Sequence, residues 1–245
     1  VFFQSYLAAQ RALPEGEQLL PDVRIFNGGG APKPLTLHGE LVETFGAPLL
    51  NGWGLTEAPI ATMASVDDPH DKLAATEGRA VPGTQLRVML DNEEIGPNRE
   101  GELQVKGPQV CKGYLDPRLD AEAFVDGWFR TGDLGMIDDD GYVTITGRLK
   151  DVIIRKGENI SAKEVEDIIN SHPAVAEVAV IGLPDAERGE RACAVIVATG
   201  DRPLTLDELT GHIATSSLSK HKYPEQLEFV DALPRNPTGK ILKKD

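Results

Sequence analysis

Val23-Arg24-Ile25-Phe26, then Asn27-Gly28-Gly29-Gly30-Ala31-Pro32, and further on Pro48-Leu49-Leu50-Asn51 running into Gly52-Trp53-Gly54-Leu55-Thr56-Glu57, together set the fold class. Residues 23–26 read as a buried strand that ends in a glycine turn. Residues 35–45 read as a helix, and residues 48–51 as a second short strand. Strand, glycine turn, helix, strand is an α/β pattern. From residue 84 to residue 146 the texture changes to short strands with turn signals: 85–90, 101–106, 136–137 and 141–146. That predicts a small antiparallel or barrel-like subdomain.

A third texture begins near Leu149. Val152-Ile153-Ile154 reads as a strand, and Ser161-Ala162-Lys163-Glu164 as a capping box opening a helix that runs to about Ser171. Residues 175–182 and 192–197 read as strands, and Thr205-Leu206-Asp207-Glu208 caps a second helix. The expected architecture is an α/β core portion with a small β-rich subdomain, followed by a separate α+β domain. The boundaries are 1–148 and 149–245. The Leu149-Lys150 junction is so short that relative motion would act as a hinge.

Composition narrows the class. The chain has 245 residues, 40% of them hydrophobic, which suits a globular protein with a core. Its net charge of −14 repels nucleic acid and anionic membranes, so neither is an expected partner. No apolar run approaches the length of a membrane span. Cys111 and Cys193 lie far apart without metal-ligand spacing, so a reduced, cytoplasmic protein is expected. Val1-Phe2-Phe3-Gln4-Ser5 has neither an initiator Met nor a charged leader and reads as a chain entered partway. A nucleotide ligand would have to be held locally, by glycine-rich backbone donors, a metal ion and a few placed cations.

Two segments put a charge beside glycine: Trp128-Phe129-Arg130-Thr131-Gly132-Asp133 and Gly147-Arg148-Leu149-Lys150-Asp151. Asp133 offers two acceptor oxygens to vicinal hydroxyls, and Arg148 a planar fork for hydroxyls or phosphate. Between them a hairpin is expected, turning at Asp138-Asp139-Asp140-Gly141. The bland alternative is a pair of surface turns with solvated charges. In the 53–57 motif, Trp53 could stack on a base, Thr56 bond a phosphate and Glu57 hold Mg²⁺. Equally, Trp53 could be core, Thr56 a helix cap and Glu57 a helix-dipole partner. The glycines at 28–30 could admit a flat ring or merely allow a tight turn. Pro234-Arg235-Asn236-Pro237-Thr238-Gly239-Lys240 reads as a turn-rich arm carrying a lysine, and it lacks the spacing of a phosphate-binding loop.

Taken in order, the motifs at 53–57, 128–133, 147–151 and 234–240 resemble successive core motifs of the adenylate-forming superfamily. That superfamily includes acyl-CoA synthetases, adenylation domains of peptide synthetases and beetle luciferase. The likeness runs from about Val23 to Lys240. Lys156-Gly157-Glu158-Asn159-Ile160-Ser161 and Leu218-Ser219-Lys220-His221-Lys222-Tyr223-Pro224 resemble the acyl- and aryl-CoA ligase branch in particular.

The resemblance implies ATP-driven activation of a carboxylic acid to an acyl-adenylate, then transfer to coenzyme A with release of AMP. It implies that Trp53, with Gly54, stacks on adenine, that Thr56 touches the α-phosphate and that Glu57 binds Mg²⁺. Asp133 and Arg148 would hold the ribose. Lys240 would bridge carboxylate, α-phosphate and ribose oxygens, Lys150 would be the hinge, and Gly157 would line the thiol tunnel. Gly29, Gly30, Ala31 and Pro32, with Ala58-Pro59-Ile60, would line the adenine and acyl pockets.

The sequence departs from the family pattern in three places. Trp53 replaces a commoner Tyr, Lys156 stands where many relatives have Gly, and the phosphate loop expected upstream is absent. The chain is therefore expected to be the C-terminal half of a ligase, partnered by an N-terminal half and inactive alone. A homodimer is left open. The alternatives are an adenylation enzyme that loads a carrier protein, a silent interaction fragment, and a luciferase-like oxygenase.

Overall fold

A computed structural model describes residues 2–30, 33–200, 204–236 and 240–243. The chain divides into two compact units, Val1–Ile145 and Thr146–Asp245. The division falls just ahead of Gly147 and Arg148, so both belong to the second unit. No helix among the described residues is long and apolar enough to cross a membrane.

The first unit opens with α1 (Phe2–Arg11), β1 (Phe26–Gly29), α2 (Leu37–Phe45) and β2 (Leu49–Gly52). The strands pair in parallel from Phe26↔Leu49 to Gly29↔Gly52, with α2 as the connection. Leu7, Phe26, Leu37, Leu41, Ala47 and Leu49 form the core beneath them. The strand expected at 23–26 thus lies three residues later and takes in the glycines. The reason is close approach. A Cβ on Gly29 would sit 2.6 Å from the carbonyl oxygen of Gly52, and one on Gly28 would sit 2.7 Å from the Phe3 ring. At Gly29 only glycine lets the two backbones lie so near.

A short antiparallel pair, β3 (Thr62–Met63) and β4 (Arg79–Ala80), flanks α3 (His70–Ala75). The six-stranded sheet follows. It contains β5 (Gln85–Leu90), β6 (Glu93–Ile95), β7 (Gly101–Lys106), β8 (Phe124–Val125, after α4 at Asp120–Ala123), β9 (Trp128–Ile137) and β10 (Val143–Arg148). Its order is β10-β9-β7-β5-β6, with β8 also on β9. The expected strands 85–90 and 101–106 coincide with β5 and β7.

The other two strands are longer than expected or displaced, so Trp128 to Asp133 is strand rather than turn. Its glycine makes a bulge. Pairing with β7 jumps from Gln104↔Arg130 to Glu102↔Leu134, and Gly132 sits within the jump at φ +67°. The turn at 138–141 forms as expected. Asp138 Oδ1 accepts from the amides of Asp140 (3.0 Å) and Tyr142 (2.8 Å), and Gly141 has φ +84°.

The second unit holds a five-stranded sheet. Its strands are β11 (Val152–Arg155), β12 (Glu158–Ser161), β13 (Val175–Asp185), β14 (Gly189–Ala198) and β15 (Gln226–Phe229). They run β12-β11-β14-β13, with β15 parallel on β14. Helices α5 (Ala162–Ile169) and α6 (Leu206–Ile213) supply Val165, Ile169, Leu209 and Ile213 to one core with Ile153, Val180 and Ile196. The box at Thr205–Glu208 closes in both directions. The one expected at Ser161 forms only half. Ser161 accepts from the Glu164 amide at 3.3 Å, but the Glu164 carboxylate goes to Lys222 at 2.6 Å.

Candidate functional site

In the first unit, parallel pairing sets Gly29 beside Gly52, and the chain leaves that strand end as the 53–57 motif. No helix follows it. Leu55 and Ala58 exchange backbone bonds of 3.0 and 3.1 Å in a tight turn. The alternative that made Thr56 a helix cap and Glu57 a helix-dipole partner therefore fails. Gly54 allows the turn, since a Cβ there would sit 2.3 Å from the Pro59 oxygen. Thr56 is exposed and Glu57 half-buried. Ala58 is fully buried, whereas Pro59 and Ile60 are exposed.

Trp53 is 7% exposed and packs with Ala58, Ala61, Val88, Leu103, Val105 and Val143. A base could meet only the small part of its ring left uncovered. Its indole N–H donates to Oδ2 of Asp133 at 2.8 Å, 80 residues on. Asp133 is 3% exposed, not a solvated surface charge. Its amide donates to Thr131 Oγ1 at 3.0 Å, and Thr131 donates to the Leu103 carbonyl at 2.6 Å. The bulge thus turns Asp133 toward the first motif. Beneath lies polar support that the sequence reading missed. Thr62 Oγ1 accepts from the Trp53 amide at 3.1 Å and donates to the Glu77 carbonyl at 2.5 Å, while Asn51 donates to the Glu77 carboxylate. These residues carry no motif, so only the tertiary structure reveals them.

Glu57 is the first unit's metal-ligand candidate. Its Oε1 accepts from the Tyr114 hydroxyl at 2.7 Å, and its carbonyl accepts from the Cys111 amide at 2.8 Å. Burial, then the bond to Glu57, pushes the Tyr114 phenol up to about 12. Among the described residues no cluster of three or more His, Cys, Asp or Glu could hold a metal by itself. One anchored carboxylate fits Mg²⁺, which commonly takes one or two carboxylates plus substrate phosphates and water.

Apart from Gly30, the remaining candidates lie in the second unit or outside the described residues. Arg148, half-buried, ends β10, and Lys150 is exposed in a one-turn 3₁₀ helix, Leu149–Asp151. Lys156 and Gly157 form the two-residue turn between β11 and β12, with φ of +52° and +82°. Both angles fit a type I′ hairpin, and Lys156 occupies a left-handed position that favours glycine. Lys240 is exposed. Its amide donates to Asn236 Oδ1 at 2.9 Å, and its carbonyl accepts from the Asn236 amide at 3.0 Å. The arm's two legs are pinned by Arg235–Glu177 at 2.8 Å and Lys243–Glu166 at 2.6 Å. Gly30 has φ +80°, while Ala31, Pro32, Thr238 and Gly239 lie outside the described residues.

Comparison with known proteins gives this arrangement its class. Residues 2–115 match the AMP-binding enzyme family, and residues 164–240 match the AMP-binding enzyme C-terminal domain. The chain belongs to the AMP-binding enzyme family. It is 38% identical over 228 residues to the medium-chain fatty-acid–CoA ligase of Escherichia coli (strain K12), covering 91% of this chain and 40% of that protein. It is 41% identical over 196 residues to the salicyl-AMP ligase/salicyl-S-ArCP synthetase of Mycobacterium tuberculosis, covering 78% and 34%. Among solved structures, o-succinylbenzoate coenzyme A synthetase from Bacillus subtilis, in complex with ATP and magnesium ion, superposes with a TM-score of 0.84. That pair is 34% identical and covers 99% of this chain and 49% of that one. The chain spans under half the length of each of these proteins.

Proposed function

We propose that this chain is the nucleotide-handling, C-terminal portion of an ATP-dependent acid–CoA ligase. The reaction joins a carboxylate to the α-phosphate of ATP, releasing pyrophosphate. A thiol, that of coenzyme A, then takes the acyl group and AMP leaves. The observation that carries this reading is the Trp53–Asp133 bond of 2.8 Å, which fastens two motifs 80 residues apart, with Glu57 on the adjoining turn. A solvated surface charge would not be buried and bonded to an indole, as Asp133 is.

Each residue then has a task. Asp133, fixed by Trp53, would accept from the ribose hydroxyls, and Arg148 would supply the second grip. Thr56, on the exposed side of the 55–58 turn, would donate to the α-phosphate. Glu57 would hold Mg²⁺, which when bound would offset charge on the phosphates. Lys240 would meet negative charge developing at phosphorus. Gly29, Gly30, Ala31 and Pro32 would form the ring and acyl wall, with Gly54 keeping the turn close. The second unit would swing about Lys150 so that Lys240 serves adenylation and the Gly157 face serves thiol entry. The whole enzyme would include an N-terminal portion bearing the phosphate loop, and would work in the cytoplasm.

The test is acid-dependent pyrophosphate release by the full-length enzyme across fatty, alicyclic and aryl acids. No release with any acid would reject adenylation. A second reading, loading of a carrier-protein thiol, draws support from the relative named salicyl-S-ArCP synthetase. Thioester formation with coenzyme A against an acyl carrier protein separates the two.

A further inference from the structure

Tyr114 was absent from the motif reading, yet it is the side chain that fixes Glu57. Its hydroxyl donates to Oε1 at 2.7 Å. Two residues before Gly113, the Cys111 amide holds the Glu57 carbonyl at 2.8 Å. The loop that carries Tyr114 is itself locked. Asp120 Oδ1 accepts from the Tyr114 amide at 2.9 Å. Gly113, at φ +154°, would place a Cβ 2.7 Å from Asp120 Oδ2, so only glycine fits there. The Tyr114 ring packs on Phe124 with centroids 6.3 Å apart, and Phe124 packs on Phe129 of β9 at 5.2 Å. Glu57 is therefore strapped to the sheet through both its backbone and its carboxylate.

The chemistry of the partner matters. Among the described residues Glu57 has no cationic neighbour in an ion pair. A lysine or arginine in place of Tyr114 would orient the carboxylate but cancel its charge. A neutral phenol orients it and leaves the charge intact, which suits a carboxylate meant for a cation. We propose that Tyr114 is a positioning residue for the cation site: its O–H holds Oε1 of Glu57, so that Oε2 meets a divalent cation arriving with the nucleotide. This role rests on the reading of Glu57 as the metal carboxylate.

The experiment is isothermal titration calorimetry of ATP binding to the full-length enzyme, at stepped Mg²⁺ and in EDTA, for the parent, Tyr114→Phe and Glu57→Gln. Phenylalanine keeps the ring packing and removes the donor. Loss of such a supporting partner should raise the half-saturating Mg²⁺ about tenfold. That shift should exceed any change in the EDTA series, which reports general damage to the fold. Equal losses with and without Mg²⁺ would assign Tyr114 a purely structural role and overturn the proposal. So would an unchanged Mg²⁺ midpoint in Tyr114→Phe while Glu57→Gln shifts it. If Glu57→Gln leaves the Mg²⁺ dependence intact, the reading of Glu57 falls first and the role of Tyr114 falls with it.

Discussion

The indole N–H of Trp53 reaches Oδ2 of Asp133 at 2.8 Å, and both side chains are buried. A hydrogen bond to a charged group contributes roughly 1.5–3 kcal/mol. Trp53→Phe keeps an aromatic ring but loses the donor. It should lower the unfolding free energy by about 2 kcal/mol, seen as a lower urea midpoint with an unchanged slope. A midpoint equal to the parent's would show that the bond contributes nothing to stability.

Gly54 governs the turn that displays Thr56 and Glu57. A Cβ there would sit 2.3 Å from the Pro59 oxygen and 2.8 Å from that of Ala58. Gly54→Ala should therefore cost upwards of about 2 kcal/mol and weaken ATP binding together with stability. A thermal melt and a nucleotide titration on the same preparation check this. Wild-type behaviour in both would mean that the turn yields without penalty.

Lys156 holds φ +52° in a hairpin turn. A left-handed conformation costs a non-glycine residue roughly 1 kcal/mol, partly offset because glycine also loosens the unfolded chain. Lys156→Gly should be neutral or up to about 1 kcal/mol more stable, and Lys156→Val clearly less stable. Urea midpoints falling in any order other than Gly, Lys, Val would count against strain at this position.

Lys240→Ala in the full-length enzyme should abolish pyrophosphate release yet largely spare thioester formation from a supplied acyl-adenylate. Equal loss of both half-reactions would argue against separate poses for the two steps.

Glu225 accepts from Arg155 at 2.6 and 2.9 Å, and Arg188 lies at 3.2 Å. The Arg155 hydrogen bond is the chief reason its carboxyl titrates below the usual range. The folded value lies below the unfolded one, near 4.3. Its contribution is therefore complete above about pH 4.5 and is lost as pH falls through the folded value. Glu225→Gln should flatten the acid side of stability against pH. Melting temperatures from about pH 6 to pH 3 test this, and parallel curves for the two proteins would refute it.

Local chemistry made much of the fold legible. β5 and β7 stand as short strands between turn signals, and the Thr205–Glu208 box names its own helix start. What failed was the meaning of glycine. At 28–29 and at 132 it read as punctuation, where the backbone instead continues as strand. Gly29 is demanded by a partner strand more than 20 residues away, which no local window contains. The candidate site followed the same rule. Asp133 was visible as a charge beside glycine, but its burial depends on Trp53 across the core. Tyr114 was invisible because a tyrosine in a surface loop carries no signal until its partner is known.

The pinned arm has a mechanical consequence. Arg235 and Lys243 clamp its legs to a strand and a helix of the second unit, and Lys243 does so through Glu166, whose carboxyl burial pushes up against the pull of that ammonium. If Lys240 serves adenylation as proposed, it would then be no tethered bait searching solution for its target. It would be a tooth on a gear, held through Arg235 and Lys243 to the folded unit. Whatever distance the proposed reaction asked of the lysine, the whole gear would have to turn to carry it.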